Sequence, residues 1–149
     1  MKDQNYTATI TANVTPHEAF NYINDVTKWW TDDLEGHSHK LDDEFTVRFK
    51  DIHVSSQKLV ELVLDQKVVW LVTDSSLNFV ENKSEWTGTK IIFEISEKND
   101  KTQIRFTHEG LVPTYECYGS CSNAWTDIIR NGLRGLIVNG KGEANLEEA

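Results

Sequence analysis

A chain of 149 residues has the length of one domain and can bury about 68–70% of the surface that its unfolded form exposes. Lys and Arg number 15 and Asp and Glu 24, a formal charge of −9, which argues against non-specific nucleic-acid binding and against docking on anionic membranes. No apolar run approaches the ~20 residues of a membrane span, the first residues lack the apolar stretch of a secretory signal, and two cysteines make no disulfide framework, so a cytoplasmic protein is expected.

In chain order, Tyr6, Ala8, Ile10, Ala12 and Val14 alternate with Thr7, Thr9, Thr11 and Asn13, the pattern of a half-buried strand. It runs into T-P-H-E, where Thr15 can cap a helix, Pro16 suits its first position and Glu18 completes a capping box. Ala19, Phe20 and Ile23 give that helix one apolar face, and Val26, Trp29 and Trp30 are expected on a second, short one. Adjacent helical residues point about 100° apart, so one of Trp29 and Trp30 belongs to the core and the other could serve as a lid or a partner contact. Residues 32–44 carry six carboxylates together with His37 and His39 and read as a solvated, partly irregular segment; metal binding there is the alternative.

Alternation resumes with Phe45, Val47 and Phe49. Two strands over roughly 56–64 and 67–75 join at Asp65-Gln66, and two more over about 85–96 and 101–109 join around Lys98-Asn99-Asp100. Past Pro113 the period becomes helical. Cys117, Cys121, Ala124, Trp125, Ile128, Ile129, Gly132, Gly135 and Leu136 fall within an arc of roughly 140°, with Arg130 and Arg134 opposite. This predicts a helix from about Tyr115 to Asn139, lying across the sheet, and a frayed tail over 143–149. The sum is a single α+β domain spanning 1–149. A curved antiparallel sheet of six to seven strands grips a long C-terminal helix, with two short helices after the first strand.

The segments ITANVTPHEAF, TKWWT, KVVWLVTDSSLNF, EWTGTKIIFEIS, TQIRFTHEGLVP, YECYGSCSNAW and LIVNGKG, in this order, resemble the START-like helix-grip superfamily (SRPBCC proteins). Within it they resemble the branch related to the heat-shock chaperone ATPase activator, over about residues 5–142. The resemblance implies a cavity between sheet and helix that often holds an apolar ligand. Members include binding proteins and cyclases, so the fold by itself names no ligand.

The inner arc of the helix is unusually small for a core stripe. Glycine inside a helix costs about 0.5–1 kcal/mol relative to alanine, so Gly132 and Gly135 on one face call for a reason. Either they open one wall of a pocket or they let the helix approach the sheet closely. For a pocket, the sheet offers Phe49, Trp70, Phe93 and Phe106, the helix offers Cys121, Trp125, Ile128 and Gly132, and Trp30 could close it. His108 points inward and could orient a carbonyl or hydroxyl or act as acid or base; otherwise it is a core histidine bonded to backbone or water. Cys117 and Cys121 read as packing residues, since two cysteines four apart make a poor zinc half-site and a strained disulfide.

No Ser-His-Asp order, phosphate loop, nucleotide fingerprint or paired-cysteine zinc pattern is present, so no catalytic residue, cofactor or metal is assigned. The expected function is binding of a small, largely apolar molecule between sheet and helix. The alternatives are an interaction module that docks a chaperone or other protein through 32–44 and the tryptophan pair, and a cyclase- or hydrolase-like enzyme using the cavity.

Overall fold

The computed structural model of the chain describes residues 6–30, 34–49, 53–77, 86–110 and 118–139. Period-two sequences become seven strands: β1 (Tyr6–Ala12), β2 (Leu34–Gly36), β3 (Glu44–Phe49), β4 (His53–Val63), β5 (Lys67–Leu77), β6 (Lys90–Lys98) and β7 (Lys101–Glu109). They form one curved sheet in the order β1-β7-β6-β5-β4-β3-β2, with every neighbouring pair antiparallel. Register shifts at Ser56/Gln57 and Leu59/Glu61 interrupt the β4–β5 ladder. Such bulges increase local twist and bend the sheet.

Helix α1 (Pro16–Asn24) starts as its residues dictate. The Thr15 hydroxyl accepts from the Glu18 N–H at 3.1 Å, and the Glu18 carboxylate accepts from the Thr15 N–H at 2.9 Å. A single 3₁₀ turn, Val26–Lys28, follows. Trp29 and Trp30 come after it, outside any regular helix, and both are fully buried. The expectation that only one would reach the core rested on helical geometry that the 3₁₀ turn does not supply. Neither ring presents a surface to a partner, which removes the tryptophan pair from the docking alternative. Within the described part of the 32–44 segment, Leu34–Gly36 pairs with β3, and residues 37–43 lie outside regular elements. His37 and His39 are exposed, and His39 Nε2 lies 3.3 Å from Asp25 Oδ1.

The C-terminal helix runs over 118–139 in three parts: α2 (Tyr118–Asp127), a π-helical turn (Ile128–Leu133) and α3 (Arg134–Asn139). Cys121, Trp125, Ile128, Ile129, Leu133, Leu136 and Ile137 are buried in one cluster with Ile91, Phe93, Ile104 and Phe106 of the sheet. Arg130 and Arg134 are exposed on the opposite side, as the helical arc requires. Cys117 and the 143–149 tail lie outside the described residues. No helix among the described residues is long and apolar enough to cross a membrane.

Candidate binding site

The inner face of β6 and β7 begins with side chains that alternation turns inward: Ile91, Phe93, Ile104, Phe106 and His108 are all at most 2% exposed. Trp125 descends onto them from α2. Its ring centroid lies 4.6 Å from Phe106, 4.9 Å from Trp30 and 5.7 Å from Trp86. Trp30 in turn stacks on Trp70 at 6.0 Å, and Trp70 meets Phe93 edge-on at 5.0 Å. Of the expected site residues, Trp30, Trp70, Phe93, Phe106, His108, Cys121, Trp125, Ile128 and Gly132 are buried in the layer between sheet and helix. Phe49 ends β3, and its side chain lies outside the described ones. These ring contacts link Trp70 through Trp30 and Trp125 to Phe106, and among the described residues one hollow of about 540 Å³ lies against Lys67, Glu94 and Arg105.

His108 is fully buried, and both ring nitrogens are engaged by protein. Trp125 Nε1 donates to Nδ1 at 3.0 Å, and Nε2 lies 2.8 Å from Thr89 Oγ1. An indole N–H only donates, so Nδ1 carries no proton and the neutral ring keeps its hydrogen on Nε2. That hydrogen goes to Thr89 Oγ1, whose own hydrogen goes to the Trp86 carbonyl at 2.6 Å. Burial, with a smaller contribution from the nearby His53, pushes His108 down to about 3. The partners are side chains, not the backbone or water of the core-histidine reading. Nor is a ring nitrogen left over to orient a ligand, because the protein has taken both.

Thr89 is held where His108 needs it. The turn through residues 86–89 is tied to β5 by Gly88 N–H to the Val72 carbonyl at 2.8 Å and Val72 N–H to the Thr89 carbonyl at 2.9 Å. Gly110, at φ +103°, passes so close that a β-carbon on it would sit 2.8 Å from Thr89 Cγ2.

The inward polar groups that the sequence reading missed are on β4. His53, Ser55 and Gln57 alternate with exposed or half-buried neighbours, and all three are at most 1% exposed. Gln57 Nε2 donates to Ser55 Oγ at 2.6 Å, and His53 Nε2 lies 2.9 Å from the same oxygen. Trp86 stands edge-on between His53 and His108, at 4.7 Å from each. Among the described residues, three polar atoms of this region have no hydrogen-bond partner: Gln57 Oε1, Trp70 Nε1 and Trp86 Nε1. No buried side chain among the described residues is an acid, a lysine or an arginine.

No family model and no curated protein matches the chain. Solved structures do. The Aha1 dimer from Colwellia psychrerythraea superposes with a TM-score of 0.74 at 23% identity, over 93% of this chain and 98% of that one. The chain has a helix-grip fold. DynU16, from the dynemicin biosynthetic locus, shares it with a TM-score of 0.66 at 12% identity over 95% of this chain, which spans 49% of the DynU16 chain. SSP2350 from Staphylococcus saprophyticus shares it with a TM-score of 0.70 at 10% identity, over 95% and 99% of the two chains. The helix-grip sheet and helix supply the two walls between which the rings and the β4 polar row lie.

Proposed function

We propose that the chain binds a small neutral molecule between the sheet and the C-terminal helix. Its apolar body lies against Trp30, Trp70, Phe93, Phe106, Trp125 and Ile128, and its hydrogen-bonding group faces Gln57 and Trp86. The observation that carries this reading is the set of three buried polar atoms without a hydrogen-bond partner among the described residues, Gln57 Oε1, Trp70 Nε1 and Trp86 Nε1. Each such group left unmet costs about 1–3 kcal/mol, and native interiors rarely leave several unmet together. Two are donors and one an acceptor, so a guest with a carbonyl and a hydroxyl or amide N–H suits them. Small side chains on both walls, Ser55 and Ser75 on the sheet and Cys121 and Gly132 on the helix, favour room between the rings. The absence of buried charge among the described residues favours a neutral guest over an ion.

Native mass spectrometry of the purified protein should find a co-purified small molecule. Titration with 2-naphthol, a neutral aromatic carrying one hydroxyl, should quench tryptophan emission saturably. Gln57→Leu should weaken that binding at least fivefold. No adduct, no saturable quenching and a Gln57→Leu variant more stable than the wild type would overturn the proposal, since the orphan acceptor would then be a plain packing cost.

A further inference from the structure

Strand β1 forms one edge of the sheet. In the β6–β7 hairpin, Lys98 opposes Lys101 across the two-residue turn Asn99-Asp100, so odd-numbered residues of β7 bond to β6 and even-numbered ones face β1. The β1–β7 register pairs Ile10 with Ile104 and Ala8 with Phe106, so the even-numbered residues of β1 bond to β7. Thr7, Thr9 and Thr11 therefore turn their backbone groups outward. An independent contact agrees: Arg134 Nε donates to the Thr11 carbonyl at 3.3 Å.

Beside this edge runs a groove of about 340 Å³ lined by Thr9, Ile10, Thr11, Arg130, Asn131 and Arg134. Both arginines are exposed, and neither meets a carboxylate among the described residues. On a chain of net charge −9 that is a local reversal of sign. Arg130 and Arg134 stand four positions apart across the π turn and line the same groove. Carboxylates at alternate positions of an extended chain are ~6.6–6.8 Å apart.

From these observations we infer that the β1 edge is a docking groove for an extended acidic segment of a partner protein. The segment adds as a strand along Thr7 and Thr9, with alternate Glu or Asp side chains on Arg130 and Arg134. Edge backbone gives affinity in such strand addition, and the flanking side chains give selectivity. The two arginines forming a fork for carboxylates account for the acidic preference. Arg134 closes the edge at Thr11, which places the open stretch at Thr7–Thr9.

The test uses the full chain and a fluorescein-labelled peptide, Val-Glu-Val-Glu-Val-Glu-Val, at about 50 mM salt, with a peptide carrying Lys for every Glu as control. Anisotropy should rise saturably with the acidic peptide only, and Arg130→Glu should weaken binding at least tenfold. Arg134→Gln, which removes the second charge without reversing it, should weaken it severalfold. Amide exchange should slow at Thr7 and Thr9 on binding, a readout that loose charge attraction would not move. Equal binding to the Arg130→Glu variant, equal binding of the Lys peptide, or unchanged exchange at Thr7 and Thr9 would overturn the inference. So would absence of binding with a concentration-dependent dimer in sedimentation that Arg130→Glu abolishes, because the edge would then be occupied by a second copy.

Discussion

Trp125 and His108 join the gripping helix to the sheet through one hydrogen bond, indole Nε1–H to imidazole Nδ1 at 3.0 Å. The bond fixes the imidazole tautomer and, through it, the direction of the hydrogen bond to Thr89. Trp125→Phe keeps most of the apolar area and deletes the donor. His108 Nδ1 is then buried and unmet, at a cost of about 1–3 kcal/mol, to which the lost edge of the indole adds. Urea unfolding should report that loss with an unchanged m-value, and the His108 ring should become easier to protonate. An unchanged midpoint would show that the bond contributes nothing net.

Gly110 acts on the same network from behind. Its φ of +103° lies where L side chains are strained, and a β-carbon would press on Thr89 Cγ2 at 2.8 Å. Gly110→Ala should therefore cost about 1–3 kcal/mol and displace Thr89 from His108. Paired with Thr89→Ser, which removes the methyl group, the alanine should cost less. Additive losses in that double-mutant cycle would mean that backbone strain alone is responsible.

At the β6–β7 turn, Asn99 and Asp100 both hold positive φ, 54° and 66°. That is the backbone of a two-residue hairpin turn, where glycine sits without steric cost at the second position. Asp100→Gly should raise stability by roughly 0.5–1 kcal/mol, seen as a rise in Tm of a few degrees for a chain of this size. A fall would indicate that the Asp100 side chain holds the turn by its own hydrogen bonds.

Much of this frame was legible because its inward residues are apolar. Strand β7 lies at Lys101–Glu109, where Ile104 and Phe106 alternate with polar neighbours. The start of β4 was not legible, since its inward residues there are His53, Ser55 and Gln57, and an apolar template passes over them. The only available signal was the period itself, H-x-S-x-Q-x-L, read without regard to polarity. Strand β6 begins at Lys90 and not near 85 because residues 86–89 form a turn, closed by the Thr89 N–H on the Trp86 carbonyl at 3.0 Å and tied to Val72 through Gly88 and Thr89. Leu133 and Ile137 fall outside that arc of roughly 140° and are nevertheless buried, because the π turn Ile128–Leu133 rotates the end of the helix. His108 was visible as inward, but its partners Thr89 and Trp125 lie 19 and 17 residues away, and only tertiary packing brings them to it.

The same histidine makes stability depend on pH in a defined window. An unfolded His108 titrates near 6.5, whereas the folded one is held down to about 3 by burial and by His53. Between those values the unfolded chain binds one proton more than the folded chain. Stability therefore rises with pH across the window: the contribution is complete above 6.5 and is lost as pH falls toward 3. The slope from this one group reaches at most ~1.4 kcal/mol per pH unit, so moving from pH 7 to pH 5 should cost about 2 kcal/mol. Comparison with His108→Gln isolates the part due to His108. Urea midpoints at pH 7 and pH 5 should differ by about 2 kcal/mol less in that variant than in the wild type. The His108 ring signal in NMR should stay at its neutral position down to pH 4.5. A ring that titrates near 6, or a variant with the same pH dependence as the wild type, would show that the imidazole is reached by water and is not sealed by Trp125 and Thr89.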